Sequence, residues 1–232
     1  MTAIENMSAR LNYNGGANQV ARMNSDKLRS LKKALLYSYQ SATVLLADGR
    51  EFRCLINPDK LKKDYDNKII SIPFEDMCLN STKKKETTTK GIEPIELKSG
   101  DIFTWKENNT DWIVFLQRLE ETAYFRAEIR RCQFILSFNN KEYKVYASGP
   151  SEDNIDWQKA KGINWNDLNY SLVVYIQKNE ETEEYLKRFS KVKINNKNWE
   201  VQATDSMSLE GIIILAVKED YSNTIEDEIK KE

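Results

Sequence analysis

LSFNNKEYKV (136–145) and VKINNKNWEV (192–201) decide the fold. Each reads as a strand, a two-residue polar turn and a second strand. LLADGREFRC (45–54) has the same form, with Asp48-Gly49 at the turn. A basic residue follows each turn (Arg50, Lys141, Lys197), and an aromatic stands two positions further on (Phe52, Tyr143, Trp199). Turn residues that tolerate positive φ close a tight hairpin, and an aromatic beside the turn pins the register by packing across the strands. Two origins of the echo stay open. Either the hairpins share only common turn chemistry, or small β modules were duplicated. On either reading the unit is antiparallel.

Working outward, the β pattern continues. KIISIPFEDMCL (68–79) holds a strand ended at or just beyond Pro73. GDIFTWKE (100–107) leads through Asn108-Asn109 to DWIVFLQRL (111–119), and AYFRAEIRRC (123–132) follows. In the last, Tyr124, Arg126, Glu128 and Arg130 alternate with Phe125, Ala127, Ile129 and Arg131, which puts one face on a core and the other in water. SLVVYIQKN (171–179) and GIIILAVKED (211–220) are further strands, and Asn57-Pro58 should stop the strand before it. The expected class is mainly β: two small antiparallel β-sandwich or barrel modules with an N-terminal amphipathic helix and arm.

The helix is expected over 25–40, SDKLRSLKKALLYSYQ, where Leu28, Leu31, Leu35 and Tyr39 share a face. Asn24 or Ser25 is the expected cap. Lys27, Arg29, Lys32 and Lys33 make the other face basic. Residues 1–23 read as an arm, either a floppy terminus or a segment that orders on a neighbouring subunit. Residues 80–94, NSTKKKETTTKGIEP, read as an exposed loop, and EETEEYLKRFS (180–190) as a short helix with Tyr185, Leu186 and Phe189 inward. The domain reading is therefore arm and helix 1–42, first β module 43–132, second β module 133–221 and charged tail 222–232.

Composition narrows the chemistry. Among 232 residues there is no histidine, and 35 basic side chains nearly balance 36 acidic ones. Without histidine, Ser-His-Asp and Cys-His catalysis and histidine-ligated metals are excluded. The near-neutral charge gives no global field for nucleic acid. Cys54, Cys78 and Cys132 are far apart and read as reduced thiols. No nucleotide-binding fingerprint occurs. Glu152, Asp153 and Asp156 lack the spacing of a calcium loop. No apolar run approaches a membrane span, and MTAIENMSAR does not read as a signal peptide. The expectation is no catalytic residue, no metal, no cofactor and no membrane partner.

The interface candidates are Tyr13, Leu28, Leu31, Trp157 and Trp165, because buried aromatics and apolar faces dominate protein contacts. Lys83, Lys84 and Lys85 are the candidates for facing DNA.

LKSGDIFTWKENNTDWIVFLQRLEETAYFRAEIRRC (97–132) resembles connector proteins of tailed bacteriophages, with a "GD-x-F" strand, a "W-x-V" strand and an arginine-bearing strand. INNKNWEVQATDSMSLEGIIILAVKED (194–220) resembles the closing segment of phage neck and minor structural proteins, with Asn196 where glycine is frequent. The resemblance implies a non-enzymatic virion protein of the head–tail connector, assembled in the host cytoplasm. Its implied partners are copies of itself in a ring, the portal and other neck or tail proteins, with transient contact to genomic DNA. No functional residue carries over individually. The rival expectation is a nucleic-acid-binding β-barrel module using Arg126, Arg130 and Arg131 with Tyr124 and Phe125 between them. An enzyme working through carboxylates alone is a third, weaker reading.

Overall fold

The computed structural model of the chain describes residues 19–58, 65–73, 97–117, 124–149 and 171–220. It contains helix α1 (Gln19–Tyr37), then β1 (Ser41–Leu46), β2 (Glu51–Pro58), β3 (Asn67–Pro73), β4 (Ile102–Trp105), β5 (Thr110–Gln117) and β6 (Tyr124–Cys132). β7 (Phe134–Phe138), β8 (Lys141–Ser148), β9 (Ser171–Gln177), α2 (Glu180–Tyr185), β10 (Lys191–Ile194), β11 (Lys197–Asp205) and β12 (Ile212–Glu219) follow. The fold is mainly β, in two closed antiparallel barrels of six strands each. By backbone contacts the chain divides into one unit of residues 1–96, 104–109 and 117–129 and another of 97–103, 110–116 and 130–232.

The strand orders are β1-β2-β3-β6-β5-β4 and, read from β7, β7-β8-β9-β12-β11-β10. Both are 1-2-3-6-5-4. This common order aligns hairpin β1–β2 with β7–β8 and hairpin β4–β5 with β10–β11. The sequences then match in pairs. Arg50-Glu51-Phe52-Arg53-Cys54 stands where Lys141-Glu142-Tyr143-Lys144-Val145 stands, and Asn-Asn-Thr-Asp-Trp-Ile-Val (108–114) where Asn-Asn-Lys-Asn-Trp-Glu-Val (195–201) stands.

Hydrogen bonds repeat at the matched positions. Gly100 N–H donates to the Val114 carbonyl at 2.7 Å, as Phe189 N–H does to Val201 at 2.7 Å. Val114 N–H donates to Asp101 and Val201 N–H to Ser190, both at 2.9 Å. Lys98 N–H donates to the Asp101 carboxylate, as Lys187 N–H does to the Ser190 hydroxyl. At the seams, Lys106 N–H donates to Thr43 at 3.0 Å and Asn195 N–H to Ile135 at 3.2 Å. Each seam also takes an acceptor from the turn: Glu107 for Thr43 N–H at 2.8 Å, the Asn195 amide oxygen for Ile135 N–H at 3.3 Å. The same backbone and capping bonds therefore recur at equivalent positions of both barrels.

The hairpin registers put each aromatic opposite an aliphatic: Val44 with Phe52, Leu136 with Tyr143, Val192 with Trp199. Asn139, Asn140, Asn195 and Asn196 all have positive φ, the geometry of a two-residue type I′ loop, which asparagine tolerates. In the first hairpin only Gly49 is left-handed, at φ +83°. Its N–H donates to Leu46 and Leu46 N–H to Arg50, so this loop is wider than the two-residue turn expected.

Other expectations need correcting. The helix begins at Gln19, so residues 19–23 belong to it, and Asn24 and Ser25 lie inside it rather than capping it. A mid-helix Asn or Ser costs only about 0.7 kcal/mol or less relative to alanine, which flanking helix formers absorb. The helix ends at Tyr37, and Tyr39 is 93% exposed rather than on the apolar face. Asn57-Pro58 closes β2 from within. Alternation in β6 fails at Arg131, which is exposed. Helix α2 is only six residues long; Leu186 is buried, but Tyr185 and Phe189 are exposed. A box in which Asn179 and Thr182 exchange hydrogen bonds starts it, and the left-handed Phe189 turn at φ +70° ends any continuation.

The second barrel's interior holds Leu136, Val145, Ile176, Leu186, Trp199, Val201 and Leu215. In the first unit, Leu31, Leu35 and Leu55 cluster with Ala34 and Tyr124. That cluster explains why α1 forms: a helix of this length is marginal in water without a surface to bury its apolar stripe.

Candidate functional site

The second unit carries a groove of about 350 Å³ beside the end of α2. One wall is the turn Leu186-Lys187-Arg188 and the other is β11 at Gln202, Ala203 and Thr204; Ser206 and Ile213 complete it. Leu186 and Ile213 are fully buried and give an apolar floor. The β11–β12 register shifts between Val201 and Ala203, and such a bulge re-aims the side chains around it. Thr204 Oγ1 donates to the Leu186 carbonyl at 3.2 Å, tying the walls together.

Charge in the groove is unequal. Lys187 and Arg188 are exposed, and neither has an acidic partner among the described residues. Arg188 lies 4.9 Å from the centroid of the Phe189 ring. The one lining carboxylate, Glu183, is held by Lys178 Nζ at 2.9 Å. The groove presents two available cations beside an apolar floor and an exposed aromatic.

A second hollow of about 480 Å³ lies at the tips of the two Asn-Asn hairpins, lined by Ser137, Phe138, Asn139, Lys191 and Lys193 among others. Lys191 is paired with Asp220 at 3.1 Å. Nearby, Lys141 Nζ meets Glu181 at 2.6 Å. That hydrogen bond, with one from Tyr143, holds the Glu181 carboxyl below its usual range. Burial and the same carboxylate push the Tyr143 hydroxyl up to about 12.

No cluster of three or more Cys, Asp or Glu side chains among the described residues is placed to hold a metal. Burial pushes the Cys54 thiol far up and the Cys132 thiol to about 12, which holds both as unreactive thiols. No helix of the described residues is long and apolar enough to cross a membrane.

Of the sequence candidates, Leu31 is 8% exposed in the chain's own apolar cluster, so its surface is spent within the chain. Leu28 is half-buried. Tyr13, Trp157, Trp165, Lys83, Lys84 and Lys85 lie outside the described residues. Phe125 is buried in the barrel and Tyr124 packs on the helix cluster, so the two do not form one exposed stack. Arg130 lies over Phe115 at 3.8 Å, with Tyr146 and Tyr175 at 5.1 and 5.7 Å. Sequence reasoning missed the groove. Its signal was Phe189, read there as a core residue, and the bulge carries no signal at all.

Comparison with protein-family models, with curated proteins and with solved structures finds no match to this chain.

Proposed function

We propose that this chain is a non-enzymatic structural protein that works by assembling with copies of itself, as part of the head–tail connector of a tailed phage. The resemblance behind that reading rests on residues 97–132 and 194–220. The first stretch contains β4–β6 and the second the last residue of β10 with β11 and β12, and Trp112-Ile113-Val114 and Trp199-Glu200-Val201 stand at equivalent places in the two barrels. The observation that carries the assembly reading is the exposure of large apolar side chains. Leu36, Tyr37 and Tyr39 are exposed within four residues at the end of α1, as is Tyr65, and Tyr185, Phe189 and Met207 are exposed in the second unit. Grouped aromatic side chains in water mark contact surfaces, and Tyr is among the commonest anchors.

The portal, neighbouring neck proteins and passing DNA are the further partners this role would bring. The test is mass in solution by light scattering, over a range of concentrations. A ring, or growth in mass with concentration that Tyr37→Ser with Tyr39→Ser abolishes, is expected. A single chain at every concentration, combined with strong salt-dependent DNA binding, would instead favour the nucleic-acid-binding barrel.

A further inference from the structure

The two barrels let a functional departure be told from a structural requirement. Both need a left-handed residue after a Leu-Lys-x turn. The first uses Gly100 at φ +92°, which carries no steric cost. The second uses Phe189 at φ +70°, with its ring 63% exposed. A non-glycine residue held left-handed costs roughly 1–2 kcal/mol, and an exposed ring recovers little of that by packing. Strain retained without a packing return clusters at working sites. Here it coincides with the β11 bulge, the groove and two cations that have no acidic partner among the described residues.

The chemistry of the groove selects its occupant. Lys187 and Arg188 ask for carboxylates, the apolar floor and Phe189 for an aromatic. A polyanion is disfavoured, because the chain's charges nearly cancel and only two cations are available. SEDNIDW (151–157) has this composition: Glu152, Asp153 and Asp156 with no basic residue, then Trp157. The acidic tail at 226–228 is offset by Lys230 and Lys231. The groove of one copy and the acidic, tryptophan-bearing stretch of the next are complementary in charge and chemistry, and a pairing of two different surfaces is heterologous and can repeat into a ring or filament.

We infer that the groove formed by Leu186–Arg188 and the bulged β11 binds the Glu152–Trp157 stretch of a second copy. This rests on the assembly reading and names its contact. The test uses the full chain, wild type and two charge-reversed forms, Lys187→Glu with Arg188→Glu and Glu152→Lys with Asp153→Lys. Because 187 and 188 are exposed, melting temperature serves to confirm that the forms remain folded. Each reversal alone should return the assembly to single-chain mass, and mixing the two reversed forms should restore association. In parallel, a labelled peptide SEDNIDWQ should bind the wild type, and at least tenfold more weakly the form reversed at 187 and 188.

Association unchanged by either reversal overturns the groove contact and leaves the assembly reading standing. A single-chain wild type that still binds the peptide through Arg188 supports the groove and sinks self-assembly. A single chain that ignores the peptide sinks both. Arg188-dependent binding of a single-stranded oligonucleotide in place of the peptide assigns the groove to phosphate and overturns the proposal.

Discussion

The first and second barrels solve one construction problem with different residues. At the turn before the fourth strand, Gly100 and Phe189 make the same hydrogen bond at the same distance, one without strain and the other with it. At the seam, a titratable carboxylate (Glu107) does in the first barrel what a neutral amide (Asn195) does in the second. Beside the matched tryptophans, Thr110 Oγ1 accepts from Trp112 Nε1 at 2.9 Å. At the equivalent place Lys197 turns to Glu219, and the buried Trp199 Nε1–H has no acceptor among the described residues. The backbone geometry is what the two barrels share. The side chains that meet it are free to drift as long as each hydrogen bond finds a substitute, and where none is found the position carries a cost.

The largest test of that equivalence is the left-handed turn. A Cβ at Gly100 would overlap the Gly211 carbonyl, both residues belonging to the second unit. Gly100→Ala should therefore cost about 3 kcal/mol, about 1 from the left-handed backbone and the rest from overlap. Phe189→Gly should do the opposite and stabilise by about 1 kcal/mol. Urea unfolding of both variants reads this, and equal effects of the same sign would break the equivalence.

The tryptophan pair predicts a smaller exchange. Thr110→Val should destabilise by about 1–2 kcal/mol by leaving a buried indole N–H unpaired. Lys197→Thr, which gives Trp199 the arrangement of the first barrel, should be neutral or stabilising despite losing an exposed ion pair worth at most about 1 kcal/mol. If Lys197→Thr destabilises as much as Thr110→Val does, the two indoles are not equivalent.

The seams differ least in energy and most in pH response. Partial burial pushes the Glu107 carboxyl up, but hydrogen bonds, with Thr43 and the backbone N–H of Glu107 itself foremost, outweigh it and the group sits below its ordinary 4.5. A carboxyl with a lowered folded pKa contributes stability that is present above the unfolded value and lost as pH falls through the folded one. Lowering pH through the carboxylate range should therefore weaken the Glu107 contact at the first seam, while Asn195, which does not titrate, leaves the second unchanged. Amide exchange, corrected for intrinsic pH dependence, should lose protection at Thr43 and keep it at Ile135, and Glu107→Gln should remove the difference.

Much of this was open to reading in the chain itself. Period-two alternation, Asn-Asn turns and the aromatic two residues beyond each turn's basic residue specify antiparallel hairpins locally, because turn geometry and cross-strand packing act over a few residues. Hence the mainly β class, in two modules, followed from the sequence, and so did the echo of three hairpins. The fourth, at 108–114, was hidden because its turn is longer, with Lys106 and Glu107 preceding Asn108-Asn109, so the residues fall out of register by eye.

What only the tertiary structure decided was non-local. Closure into barrels depends on β1 meeting β4 and β7 meeting β10, pairings between strands far apart in the chain that no window of sequence encodes. The common order 1-2-3-6-5-4, and with it the matching of the hairpins, became visible only once those pairings existed. Phe189 shows the same limit at one residue. An aromatic three positions after Leu186 reads as a helix core position, but tertiary hydrogen bonding to Val201 holds its backbone left-handed and turns the ring into water. Local periodicity sets which residues can face inward; the long-range backbone bonds determine which of them do.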